Sequence, residues 1–510
     1  MSEHRAQFDA IVDMFDHIAG HWSERTAMIS GDQSLSYRAY RFAAGVLAER
    51  LWDLGVGRGD RVAVFKGNSV ELSIAAQAIW AAGAQTVLFN PLYTARELGP
   101  LLLDAAPAVL LCDDALMDLA APLAAEAGIS ALAFAADDLT SERGDESTDR
   151  PLPGPRPGPD DAASLVYTGG TTGLPKGARH LHSGIVETTR QIDWAWVEKP
   201  GGHIWLDVAP QFHIWGLCMT ALVPTYARDT LVLIKEFQPA QVLDAMARHK
   251  VTMFAGGPAP IFHALMGQPE FRGTDFSSLR LVGGGGSPFA FETFRAWEAV
   301  TGCSINQGLG MSEAAPLALN PRHDENRLGT CGPPCPGTEI EVVDLATGNT
   351  ILPQGEDGEF RVRGPQMMQG YWRRPEETAH TMREGWIYTG DIGHLDEAGY
   401  VVIVDRKKEM AIVNGYNVFP REIDEVLFAH ADIQEAAAVG TPSDKTGEVI
   451  HAYVVPREGA ALTEAEVIGH CQQNLAPYKV PAMVIVVDQL PKTPAAKIDK
   501  MELRQRSLDA

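Results

Sequence analysis

At 510 residues the chain is too long for one ordinary hydrophobic core and is expected to hold about two to four domains or subdomains. Hydrophobic residues make up 45% and charged residues 21%, the balance of a soluble globular protein. The formal net charge of -24 repels phosphate backbones and, with no basic patch along the chain, excludes nucleic acid as a partner.

The polar start, Met1-Ser2-Glu3-His4, lacks the apolar stretch of a signal peptide. Arg61 to Phe65 is a short apolar run after Gly59-Asp60 and predicts a buried strand. Ser73 to Gly83, rich in Ala and Ile, predicts a helix. Gln85 to Phe89, closed by Asn90-Pro91, and Val109 to Cys112 predict further strands. Alternation of this kind points to a largely parallel α/β sheet. The longest apolar candidate for a membrane span, Leu101 to Cys112, is broken by Asp104 and Pro107 and is too short to cross a bilayer. A cytoplasmic protein without an integral membrane segment is expected.

Thr140 to Asp161, rich in Pro, Gly, Asp and Glu, predicts an exposed loop. Ser164 to Tyr167 predicts a strand that runs into a Gly/Thr loop, and a second α/β stretch covers roughly residues 205 to 310. Beyond Cys331 the pattern changes to short strands with frequent turns, at Glu339 to Val343, Gly358 to Val362 and Tyr400 to Val404, which predicts a β-rich subdomain. The last hundred or so residues predict a small α+β unit. Its helix starts at Pro420, with acidic Glu422 and Asp424 in the first turn and Ile423, Val426 and Leu427 on one face. Glu435 to Val439 and Ile450 to Val455 are its strands. The six cysteines, at 112, 218, 303, 331, 335 and 471, are scattered as in a reducing compartment. Cys331 and Cys335 flank Gly-Pro-Pro, but no second Cys/His pair lies nearby, so small buried residues are expected there.

The chemistry concentrates in Thr168-Gly169-Gly170-Thr171-Thr172-Gly173-Leu174-Pro175-Lys176-Gly177. Glycines let the backbone approach an anion and expose N–H groups to it; hydroxyls add donors and the lysine a point charge for phosphate. A Walker loop requires Gly-Lys-Ser/Thr, and here the lysine follows Pro175, so that alternative fails.

This loop resembles the signature of the adenylate-forming acyl-CoA synthetases, also called AMP-binding enzymes. Four later segments resemble that family's motifs in the family's order. They are Gln307 to Glu313, Tyr388-Thr389-Gly390-Asp391, Asp405 to Glu409 continuing through Asn414 to Ile423, and Pro491 to Lys497. The resemblance covers about residue 30 to the end. It implies a large N-terminal domain of α/β sheets with the β-rich subdomain, residues 1–404. A hinge at 405–408 and a small mobile α+β domain at 409–510 would follow.

The same resemblance implies roles. Thr168, Gly169, Gly170, Thr171, Thr172, Gly173 and Lys176 would hold the phosphates of ATP, with Thr168 also among the catalytic groups. Gly285 and Gly286, in the run Gly283 to Gly286, would give the adenine a flat backbone surface beside Gln307 and Gly308. Ser312 would donate to the α-phosphate, and Glu313, helped by Thr172, would hold Mg2+, which prefers a carboxylate plus phosphate oxygens. Asp391 would accept from the ribose hydroxyls with Arg406 assisting. Joining a carboxylate to the α-phosphate brings two anions together, so the site must neutralise charge and align the groups; Lys497 is the implied bridge. His213 would gate the acyl pocket near Ala255 to Ala259, Lys408 would be the hinge residue, and Gly415 would line the tunnel for CoA.

Two departures stand out. Leu309 occupies a position where many relatives carry an aromatic, which loses a stacking contribution of ~0.5–1.5 kcal/mol. Ala496 replaces a glycine before Lys497. The expected function is activation of a fatty acid, medium or long in chain, to acyl-AMP and then to a CoA thioester. Open alternatives are an aryl acid of coumarate or benzoate type, a carrier-protein thiol in place of CoA, and a nucleotide sensor without chemistry. The expected partners are the acid, ATP and CoA, with a homodimer left open.

Overall fold

Runs of β-branched and aromatic residues such as Arg61–Phe65 and Gln85–Phe89 form strands that are buried almost throughout, as parallel sheets covered on both faces require. The computed structural model describes residues 7–134, 151–168, 175–287, 289–414, 416–443, 445–493 and 498–509. Among these, the strands gather into four sheets.

The first sheet has seven strands, in the order Gly370–Tyr371, Lys176–Leu181, Ala162–Thr168, Gln85–Phe89, Arg61–Phe65, Val109–Cys112, Ser130–Ala133. Only Lys176–Leu181 runs antiparallel to its neighbours. The second has eight, in the order Ala314–Leu319, Ile305–Met311, Leu281–Gly285, Met253–Gly257, Ile204–Asp207, Thr230–Leu233, Thr26–Ser30, Gln33–Ser36. It is parallel except for the pairings at its two ends, each antiparallel. The two expected α/β stretches are thus two sheets, and the early strand Thr26–Ser30 belongs to the later one through its pairing with Thr230–Leu233.

Helices form a shared layer between the two. Tyr37–Asp53, Val70–Ala81 and His182–Trp196 join one apolar cluster with Val62 and Val64 of the first sheet and Trp205, Met253 and Ala255 of the second. Val70–Ala81 is buried at every position from Leu72 to Ala81, the signature of a helix with no solvent face. It starts before the expected Ser73 because the Ser69 hydroxyl accepts from Leu72 N at 3.2 Å, an N-cap.

The third sheet is antiparallel: Glu339–Val343, Gly358–Arg363, and Trp386–Leu395 flanked by Met382–Arg383 and Val401–Arg406. The fourth, in the small domain, holds Tyr416–Val418, Ala411–Val413, Gly447–Pro456, Ile433–Ser443 and a parallel strand, Met483–Val486. The helix predicted at Pro420 is found as Pro420–Phe428. Asp424 does not serve its helix N-terminus there: it is partly buried, accepts from Ala438 N at 2.6 Å and pairs with Lys500 at 2.7 Å. Residues 151–161 carry no regular structure, in line with the predicted loop, whose earlier part lies outside the described residues. Cys331 and Cys335 are both buried but in different clusters, and burial pushes the Cys331 thiol up to about 12. Among the described residues no helix is long and apolar enough to cross a membrane.

Candidate active site

The Gly/Thr loop sits between two antiparallel strands. Thr168 and Lys176 are register partners at its base, so the strands hold the loop's ends together whatever lies between. Gly177 is needed there, because a Cβ would meet Leu165 Cδ1 at 2.7 Å. Gly169, Gly170, Thr171, Thr172 and Gly173 lie outside the described residues, as do Gly415 and Lys497.

The edge strand Gly370–Tyr371 pairs with Lys176–Leu181 and sets Tyr371 opposite Ala178. That register brings the Tyr371 ring to 5.2 Å from Lys176 Nζ, a cation–π distance, and its hydroxyl donates to Glu313 Oε1 at 2.5 Å. Burial, then the Glu313 charge, pushes the Tyr371 phenol well above its ordinary pKa, so it remains a donor. Glu313 is 8% exposed, in the turn between Ile305–Met311 and Ala314–Leu319. Among the described residues no Lys or Arg forms an ion pair with it. Buried carboxylates are normally paired or bound to metal, so this donor set fits a divalent cation.

Ser312 is held from behind. His180 Nε2 lies 2.7 Å from the Ser312 carbonyl, which can only accept, so the ring carries its proton on Nε2. Burial lowers His180 to about 4 and the bond to Ser312 opposes that shift.

Asp391 and Arg406 are register partners in the third sheet, and the guanidinium Nε is 3.1 Å from Asp391 Oδ1. The Asp391 carboxylate holds Arg406 above its ordinary pKa, and the charges of Glu409 and Glu313 add to it. Glu313 and Arg406, nearly a hundred positions apart, therefore share one electrostatic neighbourhood. Buried Glu359 fastens this corner: it accepts from Gly390 N at 3.2 Å and pairs with Lys407 at 2.8 Å. Lys408 is exposed on the connector that follows.

The first three glycines of the run each have a packing reason. A Cβ on Gly283 would meet Trp196 Cη2 at 2.7 Å, on Gly284 Ile305 Cγ2 at 2.7 Å, and on Gly285 the Gly308 carbonyl oxygen at 2.7 Å. Gly286 adopts φ +77°, a left-handed turn. Gly284 faces Gln307 and Gly285 faces Gly308 across the pair of strands, and Gln307 is buried. Leu309 is nearly buried in the apolar cluster of the β-rich subdomain. His213 caps the helix Ile214–Leu217, its Nδ1 accepting from Trp215 N at 3.3 Å. Trp215 meets Trp196 edge to face at 5.6 Å, and Trp196 covers Gly283, so His213 and the glycine run border one aromatic wall. A π-helical turn, Cys218–Leu222, follows directly, a departure frequent at functional sites.

The Pro491-to-Lys497 segment is also closed at its base. Lys492 bridges Ile498, Asp499 N donates to Pro491 O at 2.8 Å, and Lys492 pairs with Glu435 at 2.8 Å. Sequence reasoning missed Tyr371, His180 and Glu359. The Gly370-Tyr371-Trp372 run could have flagged Tyr371, but which side chain it meets depends on a long-range edge pairing.

Residues 15–372 match the family model of the AMP-binding enzymes, and residues 422–497 that of the AMP-binding enzyme C-terminal domain. The chain is 33% identical to the long-chain-fatty-acid–CoA ligase of Salmonella typhimurium, over 98% of this chain and 95% of that protein. It is 34% identical to the feruloyl-CoA synthase of Amycolatopsis sp, over 96% and 98%. Its structure resembles ATP-bound MatB from Rhodopseudomonas palustris with a TM-score of 0.90 at 31% identity, covering 98% and 99% of the two chains. Against apo MatB the TM-score is 0.78 at 32% identity, covering 97% and 99%. A two-domain adenylate-forming fold is thus defined, with ATP-binding relatives throughout its length. The chain belongs to the AMP-binding enzyme family and is an AMP-forming acid–thiol ligase.

Proposed function

We propose that this chain joins a medium- or long-chain fatty acid to CoA in two half-reactions at one site. The acid's carboxylate attacks the α-phosphorus of ATP, forming acyl-AMP and releasing pyrophosphate; the CoA thiol then attacks the acyl carbon and AMP leaves. The observation that carries this reading is the meeting of Lys176, Tyr371, Glu313 and the Asp391–Arg406 pair, drawn from three sheets.

In this reading Thr168, Gly169, Gly170, Thr171, Thr172, Gly173 and Lys176 cradle the phosphates. Asp391 accepts from the ribose while Arg406 holds its carboxylate in place. Ser312 donates to the α-phosphate from a backbone fixed by His180. Glu313 and Thr172 would hold Mg2+, which screens phosphate charge when bound. Lys497 bridges carboxylate and phosphate in the first step. Residues 1–404 form the fixed domain, 405–408 with Lys408 the hinge, and 409–510 the moving domain that brings Gly415 to the thiol.

The fatty acid is favoured by the full-length match to the Salmonella ligase and by space beside Gly257, where a Cβ would meet nothing within 4 Å. The Trp196–Trp215 wall and the feruloyl-CoA synthase relative favour a second reading, an aryl acid. Acid-dependent exchange of pyrophosphate into ATP, screened over both acid classes, separates these. ADP formation, or no exchange with any acid, would refute the function. Lys497→Ala is expected to abolish exchange yet spare thioester formation from supplied acyl-AMP.

A further inference from the structure

The link between the two domains is short: the third sheet ends at Arg406 and the fourth begins at Ala411. Contacts that cross it decide how the small domain is held. Arg421 makes two. Its backbone N–H donates to Asp405 Oδ2 at 3.0 Å, and its Nη1 donates to the Ile403 carbonyl at 2.6 Å. Ile403 and Asp405 both lie in the third sheet, paired with Gly393 and Ile392, so both acceptors stand on the large-domain side of Lys408. The Arg421 charge also reaches the buried Cys331 thiol. Partly buried Lys500, 2.7 Å from Asp424 and 4.0 Å from Glu409, acts electrostatically on Asp405.

A second observation concerns which way the domain faces. His263, on the large-domain helix Ala259–Met266, feels the charges of Glu435, Lys492 and Arg457. The start of the Pro491-to-Lys497 segment is therefore turned toward the large domain. The two MatB comparisons also differ, with TM-scores of 0.90 for the ATP-bound and 0.78 for the apo structure. A rotation about Lys408 would keep Arg421, Asp424 and Lys500 together and carry them away from Ile403 and Asp405.

We infer that Arg421 is a positioning residue, a latch that holds the small domain in the orientation serving adenylation and opens for thioester formation. The inference rests on the two-step reading above. Arg421→Ala removes the guanidinium bond and leaves the backbone bond to Asp405. It is expected to slow pyrophosphate exchange about ten- to thirtyfold, the lower part of the range for one charged hydrogen bond. Thioester formation from supplied lauroyl- or feruloyl-adenylate is expected to hold or rise. Arg421→Lys, which can still donate to Ile403, is expected to recover most of the exchange. Trypsin is expected to cut the exposed Arg406-Lys407-Lys408 link several-fold faster in Arg421→Ala than in the unaltered chain. Equal loss of both half-reactions, or unchanged cleavage and exchange, would overturn the latch. If the unaltered chain shows neither half-reaction, the function fails, and the cleavage rates still judge the latch.

Discussion

Replacing Tyr371 with Phe removes one hydroxyl and leaves the ring under Lys176. The hydroxyl donates to the Glu313 carboxylate at 2.5 Å, and among the described residues it is that carboxylate's one hydrogen-bond donor. A hydrogen bond to a charged group is worth ~1.5–3 kcal/mol. Tyr371 is half-buried, so the lower part of that range applies. At about 1.4 kcal/mol per decade, the loss of transition-state support amounts to roughly ten- to thirtyfold in kcat/KM for adenylation. Glu313→Gln is the partner control, since the amide oxygen can still accept from Tyr371 while the charge is gone. If Glu313 holds a divalent cation, Tyr371→Phe raises the Mg2+ concentration needed for half-maximal pyrophosphate exchange, and Glu313→Gln raises it further. The assay is exchange at graded Mg2+, with thermal melting as a check on folding. A folded Tyr371→Phe variant with exchange within twofold of the unaltered chain, and the same Mg2+ dependence, would refute the argument that Tyr371 orients Glu313.

His180 gives a pH prediction. Its folded-state pKa of about 4 lies below the ordinary 6.5, so the unfolded chain binds more protons between those values. Its contribution is fully present above pH 6.5 and is lost as pH falls toward 4, about 2 kcal/mol by pH 5. Urea unfolding at pH 7 and pH 5 should show that loss shrink in His180→Gln; His182, lowered to about 4 as well, contributes its own share and remains. Gly285→Ala places a methyl 2.7 Å from the Gly308 carbonyl oxygen, backbone against backbone. It should cost ~1–3 kcal/mol of stability and raise KM for ATP more than it lowers kcat, as measured by melting and by exchange at graded ATP.

Much of this was legible from local pattern. Arg61–Phe65, Gln85–Phe89, Val109–Cys112 and Glu339–Val343 lie where alternation and turn residues put them. The site motifs were legible because each couples a residue type to a turn, as at Thr168 or Glu313. What was not legible depends on distant pairing. Nothing near Thr26–Ser30 says that its partner is Thr230–Leu233, and nothing near Tyr371 says that Gly370–Tyr371 closes on Lys176–Leu181. Asp424 shows the converse: its helix-start position suggested a role with the helix dipole, but burial beside Lys500 gives it a tertiary one.

The same long-range pairing explains why the site residues are scattered. Lys176 and Tyr371 come from the seven-stranded sheet, Gln307 and Glu313 from the eight-stranded sheet and its terminal turn, and Asp391 and Arg406 from the antiparallel sheet. No sheet alone carries both a phosphate-side cation and the Glu313 carboxylate. Three short contacts join them among the described residues: Tyr371 to Glu313, His180 to the Ser312 carbonyl, and Met368 N to the Glu313 carbonyl at 2.8 Å. All three converge on two adjacent residues, Ser312 and Glu313. Ser312 and Glu313 are therefore central to the proposed site and also one place where the two sheets touch. A change there should disturb binding and packing together, whereas the Asp391–Arg406 pair, held within one sheet by its own register, should respond to substitution through nucleotide binding with the fold left intact.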